Sequence, residues 1–374
     1  MITISHQIGL NEQTTQYAFD LGLLHDCGVS THQMHASLVN YFDWAEANTH
    51  CEIGYNLLKD FQPLSRFAIP VLYHHTHWDH LKTLDIDPND ALFSNLIFIS
   101  DRVDVLSASH YGKDILVTRD QVVKTIKENS GTLFNPRLVE AFCEIEKSEA
   151  FWISLEDRHI TRYTWDMGQY ETSEHLTVLQ LKQLSLIMAY IVDQKSPFTA
   201  EHSERVACLA KQIAESLGLV PEQCEKIEIA GLLHDLGKLN TPDSILEKPG
   251  ALSEIERSIM NQHSYETYEI LRRIKGLEEI SQWAAFHHEG INGAGYPFHP
   301  AGKDLSIEAR IIAVADVFQA LVQDRPYRKG MPLDSVIEIL EDQASSGKLD
   351  SNIVAHAKRN GADLYEVAKG KVLF

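Results

Sequence analysis

The chain has 374 residues, enough for two domains of ordinary size, and its 44% hydrophobic and 23% charged content is that of a folded globular protein rather than a disordered one. Its 33 Lys and Arg face 53 Asp and Glu, a formal charge of −20, and residues 1–150 alone carry 10 against 20, so both parts are acidic. A basic surface for polymeric nucleic acid is excluded, and an anionic substrate would need local positive charge, most simply bound metal. Five cysteines without a C-x-x-C spacing indicate a reducing compartment. No basic start leads into an apolar run, and the greasiest stretch is only Leu184 to Val192, so a cytoplasmic chain without membrane association is expected.

Sparse glycine and proline, with apolar residues three and four apart over long segments, predict an all-α fold. In chain order the first signals are GLLHDCG at 22–28, NTHCEIGYNLL at 48–58, the pair His74-His75, LIFISDRVDVL at 96–106 and GTLFNPRLV at 131–139. Residues 146–195 belong to neither core and hold an amphipathic stretch, Leu176 to Val192, that reads as a connecting helix. Beyond it, HSERVACLAKQIAESLG sets His202, Val206, Leu209, Ile213 and Leu217 on one face and stops at Gly218. A second helix opens at Pro221 and runs through Cys224, Ile227 and Gly231 into His234. A third starts with the capping box Ser253-x-x-Glu256 and carries His263 on its apolar side. IEARIIAVADVFQALV is apolar nearly all round apart from Asp316 and Gln319, the pattern of a buried central helix.

The early signals return in the second half as GLLHDLG, NQHSYETYEIL, His287-His288, IIAVADVFQAL and GKLDSNIVA, at offsets of 209, 213, 213, 215 and 216. So slow a drift identifies two copies of one helical domain, 1–145 and 196–374, separated by the connecting segment.

One histidine on an apolar face is usually a satisfied core residue. Five of them with two aspartates are not, because burying His202, His234, Asp235, His263, His287, His288 and Asp316 without metal would desolvate two carboxylates and strand many polar atoms. Imidazole and carboxylate donors suit iron, manganese, cobalt, nickel or zinc, and one Asp can bridge two ions. Two ions close together generate a nucleophile from water and hold phosphoryl oxygens, which is phosphoester hydrolysis. Lys238, read as one helical turn beyond His234, adds a cation for the phosphate.

These residues resemble the HD-GYP phosphodiesterases, which hydrolyse bacterial cyclic dinucleotides. The likeness is carried by HSERVACLAKQIAESLGL, LLHDLGKLNTPDSILEKPGALS, His263, HHEGINGAGYP and RIIAVADVFQALVQDRPYRKG, and spans about Ser196 to Asn360. It implies tandem all-α HD-domain bundles, the second with a GYP loop, and a metal-dependent phosphodiesterase acting on cyclic GMP-AMP or cyclic di-GMP. It also implies two divalent transition-metal ions, iron or manganese foremost, on His202, His234, Asp235, His263, His287, His288 and Asp316. Asp235 and Lys238 take the catalytic roles, and Tyr296, Pro297, Arg325 and Arg328 contact substrate. A third ion in some relatives uses a glutamate four residues before the first histidine; here that residue is Phe198, and Glu201 should point about 100° away, so a dinuclear centre is expected.

Two departures stand out: Asn292 replaces the usual Asp of HHExxDGxGYP, and Gln319 replaces another acidic residue. They bear on loop support and base discrimination. The first copy keeps His25, Asp26, His50, His74, His75 and Asp101 as a vestigial metal site. It has Val29 in place of Lys238, no counterpart of His202 and no GYP loop, so a regulatory or packing role is expected of it. The competing readings are a non-catalytic cyclic dinucleotide receptor or scaffold, and a nucleotide phosphohydrolase of the wider HD superfamily. The oligomeric state, including a homo-oligomer, is left open by the sequence.

Overall fold

The computed structural model describes residues 1–29, 48–168, 175–195, 201–324 and 329–370. They form two compact units, Met1–His175 and Leu176–Phe374, and among them no strand occurs beyond an isolated bridge between Ser130 and Phe134. No described helix is long and apolar enough to cross a membrane.

The first unit contains α1 (Ile2–Gln7), α2 (Glu12–Leu24), α3 (Asn48–Leu58), α4 (Ala68–Tyr73), α5 (Trp78–Leu81), α6 (Pro88–Ser107), α7 (Ile115–Glu128), α8 (Pro136–Ile145), α9 (Glu149–Ser154) and α10 (Asp157–Gly168). The second contains α11 (Val178–Gln194), α12 (His202–Ser216), α13 (Pro221–Leu233), α14 (Asp243–Leu246), α15 (Glu254–Leu271), α16 (Glu278–Ala285), α17 (Ile307–Val322), α18 (Leu333–Ser345), α19 (Ser351–Arg359) and α20 (Gly361–Ala368). The duplication read from the motifs holds at the level of whole helices. α2 and α13 are both 13 residues long and both end immediately before the His of an HD pair. α6 and α17 are the central helices of their units, burying Leu96, Ile97, Phe98 and Ile99 in one and Ile311, Ile312, Val314 and Phe318 in the other.

Glycines repeat the same packing. A Cβ on Gly28 would lie 2.0 Å from the His50 carbonyl oxygen, and one on Gly237 would lie 2.0 Å from that of His263. In each copy only glycine lets the turn after the HD pair press against the next helix.

The first copy diverges at its start. Where the second unit has the 15-residue α12 packed along α13 and α17, the first has the six-residue α1, set against α2 and α8. Among the described residues of the first unit, no long helix takes the place of α12.

The segment expected to connect the copies does not form a separate body. Its early part belongs to the first unit, where Trp152 of α9 is fully buried in the apolar core. From Leu176 onward it belongs to the second: α11, opened by a Thr177–Gln180 capping box, packs on α12 and α13 and buries Ala189 and Val192. The apolar stripe read as a connector is thus a core-facing surface of the second bundle.

Candidate metal centre

The helix that leads into the HD pair stops at Leu233 rather than continuing through it. His234 caps α13, and Leu236–Asn240 form a 3-10 turn that Lys195 clamps by donating to the carbonyls of Leu239 and Thr241 at 2.5 and 2.8 Å. His287 and His288 likewise follow the end of α16. Each pair therefore presents its two side chains from a turn, where successive residues aim at one centre more readily than on a helix.

Around that centre, His202, His234 and Asp316 form one cluster of donor atoms within 4.8 Å of one another. His234, Asp235 and His287 form a second, and His263, His287 and His288 a third. Asp235 lies between them. Its Oδ2 is 3.3 Å from His234 Nε2 and 3.8 Å from His202 Nε2, while its Oδ1 is 3.5 Å from His263 Nε2. Asp316 Oδ1 is 3.3 Å from His202 Nε2.

The imidazoles are oriented from behind. Nδ1 of His234, His263 and His287 each meets a backbone carbonyl at 2.7 Å, those of Gly231, Met260 and Ala284, and Nδ1 of His202 meets Gln319 Oε1. Nδ1–H donation to these oxygens fixes the tautomer and leaves the Nε2 lone pairs facing inward, the arrangement of metal-ligating histidines. His234 Nε2 is buried with no hydrogen-bond partner, a cost a metal ion removes. The donor set therefore fits divalent transition metals of the imidazole and carboxylate class.

Burial lowers the pKa of His288 to about 3 and pushes those of His263 and His287 below the ordinary histidine range, so these rings are neutral donors at physiological pH. His234 behaves differently: burial pulls it down, but the Asp235 and Asp316 carboxylates outweigh this and raise it to about 9, so an ion at its Nε2 would take the place of a proton. Burial pushes Asp235 up, and the surrounding His234 and Lys238 charges more than reverse it.

Lys238 stands on the 3-10 turn and not a helical turn beyond His234, and its Nζ lies 2.5 Å from Asp235 Oδ2. The GYP loop folds onto the histidine pair. A Cβ on Gly295 would fall 2.4 Å from the His288 carbonyl oxygen, which places Tyr296 with its ring centroid 4.8 Å from that of His288. Pro297 follows through a cis peptide bond. Arg325, Arg328 and Phe198 lie outside the described residues. Glu201 pairs with Arg205 and is exposed; it precedes α12 in the left-handed region instead of lying on the helix.

Glu289 and Asp193 were not singled out from the sequence, and Gln319 and Asn292, noted there only as departures, take definite partners. Gln319 positions His202 from α17. Glu289, buried, accepts from the backbone N–H groups of Phe298 and His299 at 2.6 and 3.1 Å and ties the loop down. Asp193 accepts from Ser203 N and Oγ at 3.0 and 2.8 Å, anchoring the start of α12 beside His202. Asn292 answers the question of loop support: its Oδ1 accepts from Ala294 N at 2.9 Å and its Nδ2 donates to the Ser346 carbonyl at 2.7 Å, a bond the usual Asp could not make.

In the first unit His25, Asp26, His50, His74 and His75 converge as well. Asp26 Oδ1 lies 3.4 Å from His50 Nε2 and 3.7 Å from His74 Nε2, Asp26 Oδ2 lies 3.3 Å from His25 Nε2, and the His75 ring centroid is 5.1 Å from that of His50. Asp101 is engaged otherwise, its Oδ2 accepting from Arg102 Nη2 at 2.6 Å and Nε at 3.2 Å.

Two helical bundles carrying paired HD motifs, one with a complete His and Asp centre, define an HD-domain metalloprotein, and residues 186–353 match the HD domain family. The chain is 38% identical over 363 residues to the 3'3'-cGAMP-specific phosphodiesterase 1 of Vibrio cholerae, covering 96% of this chain and 84% of that one. It is also 38% identical over 173 residues to a cyclic di-GMP phosphodiesterase of Thermotoga maritima, 46% of each chain. A crystal structure of a cyclic GMP-AMP-specific phosphodiesterase of V. cholerae superposes with a TM-score of 0.58 at 25% identity, covering 100% of this chain and 91% of that one. The chain belongs to the HD-GYP family of cyclic dinucleotide phosphodiesterases, and that family membership implies a divalent-metal site.

Proposed function

We propose that the second unit hydrolyses 3'3'-cyclic GMP-AMP, using two divalent ions, iron or manganese, held by His202, His234, Asp235, His263, His287, His288 and Asp316. The observation that carries the metal site is the single carboxylate of Asp235, whose two oxygens face different histidine clusters. The substrate choice is supported by likeness to a cyclic GMP-AMP-specific relative along nearly the whole chain, both units included.

Bound ions would lower the pKa of water and neutralise the phosphodiester oxygens, supplying nucleophile and charge in a protein that is otherwise strongly acidic. The chain's own residues do the rest. The carbonyl-anchored imidazoles and Gln319 hold the donor atoms in a fixed array, so no reorganisation is needed when charge develops. Lys238 brings a cation beside Asp235, suited to a phosphate oxygen or to protonating the departing alkoxide. Tyr296 offers a ring over the His288 side of the centre on which a base can stack, and Glu289 and Asn292 hold its loop in place. A cytoplasmic setting fits the free state of all five cysteines.

The test is incubation of the full chain, loaded with iron or manganese, with cyclic GMP-AMP and with cyclic di-GMP, followed by chromatography of the products. Linear dinucleotide appearing faster from cyclic GMP-AMP is expected. Equal or faster cleavage of cyclic di-GMP would overturn the substrate choice, and both nucleotides bound but intact would establish a receptor.

A further inference from the structure

Among the described residues of the first unit no counterpart of α12 occurs, and its Asp101 is held by Arg102, so this half of the centre differs from that of the second unit. The other half has gained a donor. Cys51 occupies the repeat position of Ser264, and the side chains at this position reach the same place in both units: Ser264 Oγ is 3.3 Å from His263 Nε2, and Cys51 Sγ is 3.7 Å from His50 Nε2. We propose that the first unit binds a single zinc-class ion through His50 Nε2, Cys51 Sγ, His74 Nε2 and Asp26 Oδ1, with the Arg102 guanidinium standing on Asp101 where a second cation would otherwise sit.

The distances among His50, Cys51 and His74, and from Asp26 Oδ1 to the two imidazoles, are close to those of a tetrahedral site before the ion draws it in. Zinc bonds of about 2.0–2.1 Å to nitrogen or oxygen and about 2.3 Å to sulfur put nitrogen and oxygen ligands about 3.3 Å apart and sulfur about 3.6 Å from nitrogen. Here His50 Nε2 and His74 Nε2 are 3.1 Å apart, and Asp26 Oδ1 is 3.4 and 3.7 Å from them. Cys51 Sγ is 3.7 and 4.0 Å from the same two nitrogens. Sγ also lies 3.5 Å from His74 Nδ1, but that atom faces the Val71 carbonyl at 2.6 Å, which leaves Nε2 as the ligating nitrogen. Asp26 Oδ1 is a buried oxygen without a hydrogen-bond partner, and His50, Cys51 and His74 are all fully buried. A thiolate shifts the preference of the site toward softer ions than its counterpart in the second unit, which has no sulfur donor. Arg102, itself buried, is replaced in the repeat by Val317, so the fixed cation is peculiar to this unit.

Cobalt(II) in place of zinc provides a readout independent of catalysis. Because the second unit offers Ser264 and no thiol at its centre, a near-ultraviolet thiolate-to-cobalt charge-transfer band in the full-length protein reports the first unit alone. The band is expected in the wild type, retained in His263→Ala, and lost in Cys51→Ser together with one ion per chain, with unchanged far-ultraviolet circular dichroism. X-ray absorption at the zinc edge of the wild-type protein should show a sulfur scatterer at about 2.3 Å and decides the matter if the serine variant does not fold. No band in the wild type, a band that survives Cys51→Ser, or a zinc shell without sulfur would overturn the proposal.

Discussion

Gly295→Ala separates the positioning of the GYP loop from the metal centre beneath it. The added methyl would stand 2.4 Å from Glu289 Cα, 2.4 Å from the His288 carbonyl oxygen and 2.5 Å from Gly290 N, all three of them main-chain atoms. Ordinary contact begins near 3.4 Å, so the loop must retreat by about 1 Å. Overpacking of this kind costs about 1–3 kcal/mol, which in a unit of this size lowers the Tm by roughly 2–12 °C. The functional loss should be larger than the stability loss at assay temperature suggests, because a shift of about 1 Å in a group that orients substrate costs on the order of 100-fold in rate. Six of the seven proposed ligands lie outside the segment of chain that moves, and the seventh, His288, has its ring centroid 3.9 Å from that of His287. Metal content should therefore stay at the wild-type level while kcat/KM for cyclic GMP-AMP falls. Steady-state kinetics, calorimetry and metal analysis on one preparation make the comparison. Wild-type kcat/KM and Tm in the variant would refute the claim that the loop is seated by this contact, and loss of metal in parallel with activity would refute its independence from the centre.

The double variant His234→Ala/Asp235→Ala removes the carboxylate proposed to be shared between the ions and a neighbouring imidazole; hydrolysis should be abolished with helical circular dichroism preserved, and full activity would refute the assignment. Lys238→Ala should lower kcat by roughly 100-fold or more at unchanged metal content, as expected of a group that meets developing charge. Gln319→Ala strips His202 Nδ1 of its acceptor and should weaken binding of the ion it ligates by about 10–100-fold, read by competition with a chelator. Asn292→Asp replaces the donor to the Ser346 carbonyl by a repelling carboxylate; about 1–3 kcal/mol of stability should be lost in thermal melts, and the ratio of kcat/KM for the two cyclic dinucleotides reports whether base choice moves with it.

Much of the architecture is written locally. Helix content, the Ser253 capping box, the buried character of α17 and the duplication follow from periodicity, cap chemistry and repeated spacing, which depend on neighbours a few residues away. The proposed ligand set is also legible, because seven polar residues among apolar neighbours need a common explanation. What the sequence left open concerns which buried polar atoms meet across elements. Gln319 reads as a lost acid until α17 sets it against His202, 117 residues earlier, and Asn292 reads as a weakened loop residue until its amide finds the Ser346 carbonyl. In the first unit, counting ligand types credits Asp101 and passes over Cys51. Tertiary packing instead gives Asp101 to Arg102 and brings the thiol between two imidazoles. The stripe of α11 has the same periodicity whether it spans a gap or lies on a bundle, and only its contacts with α12 and α13 decide. Periodicity tells which face of a helix leaves water; the partner waiting on that face is fixed by the packing of the other helices, to which a local pattern has no access.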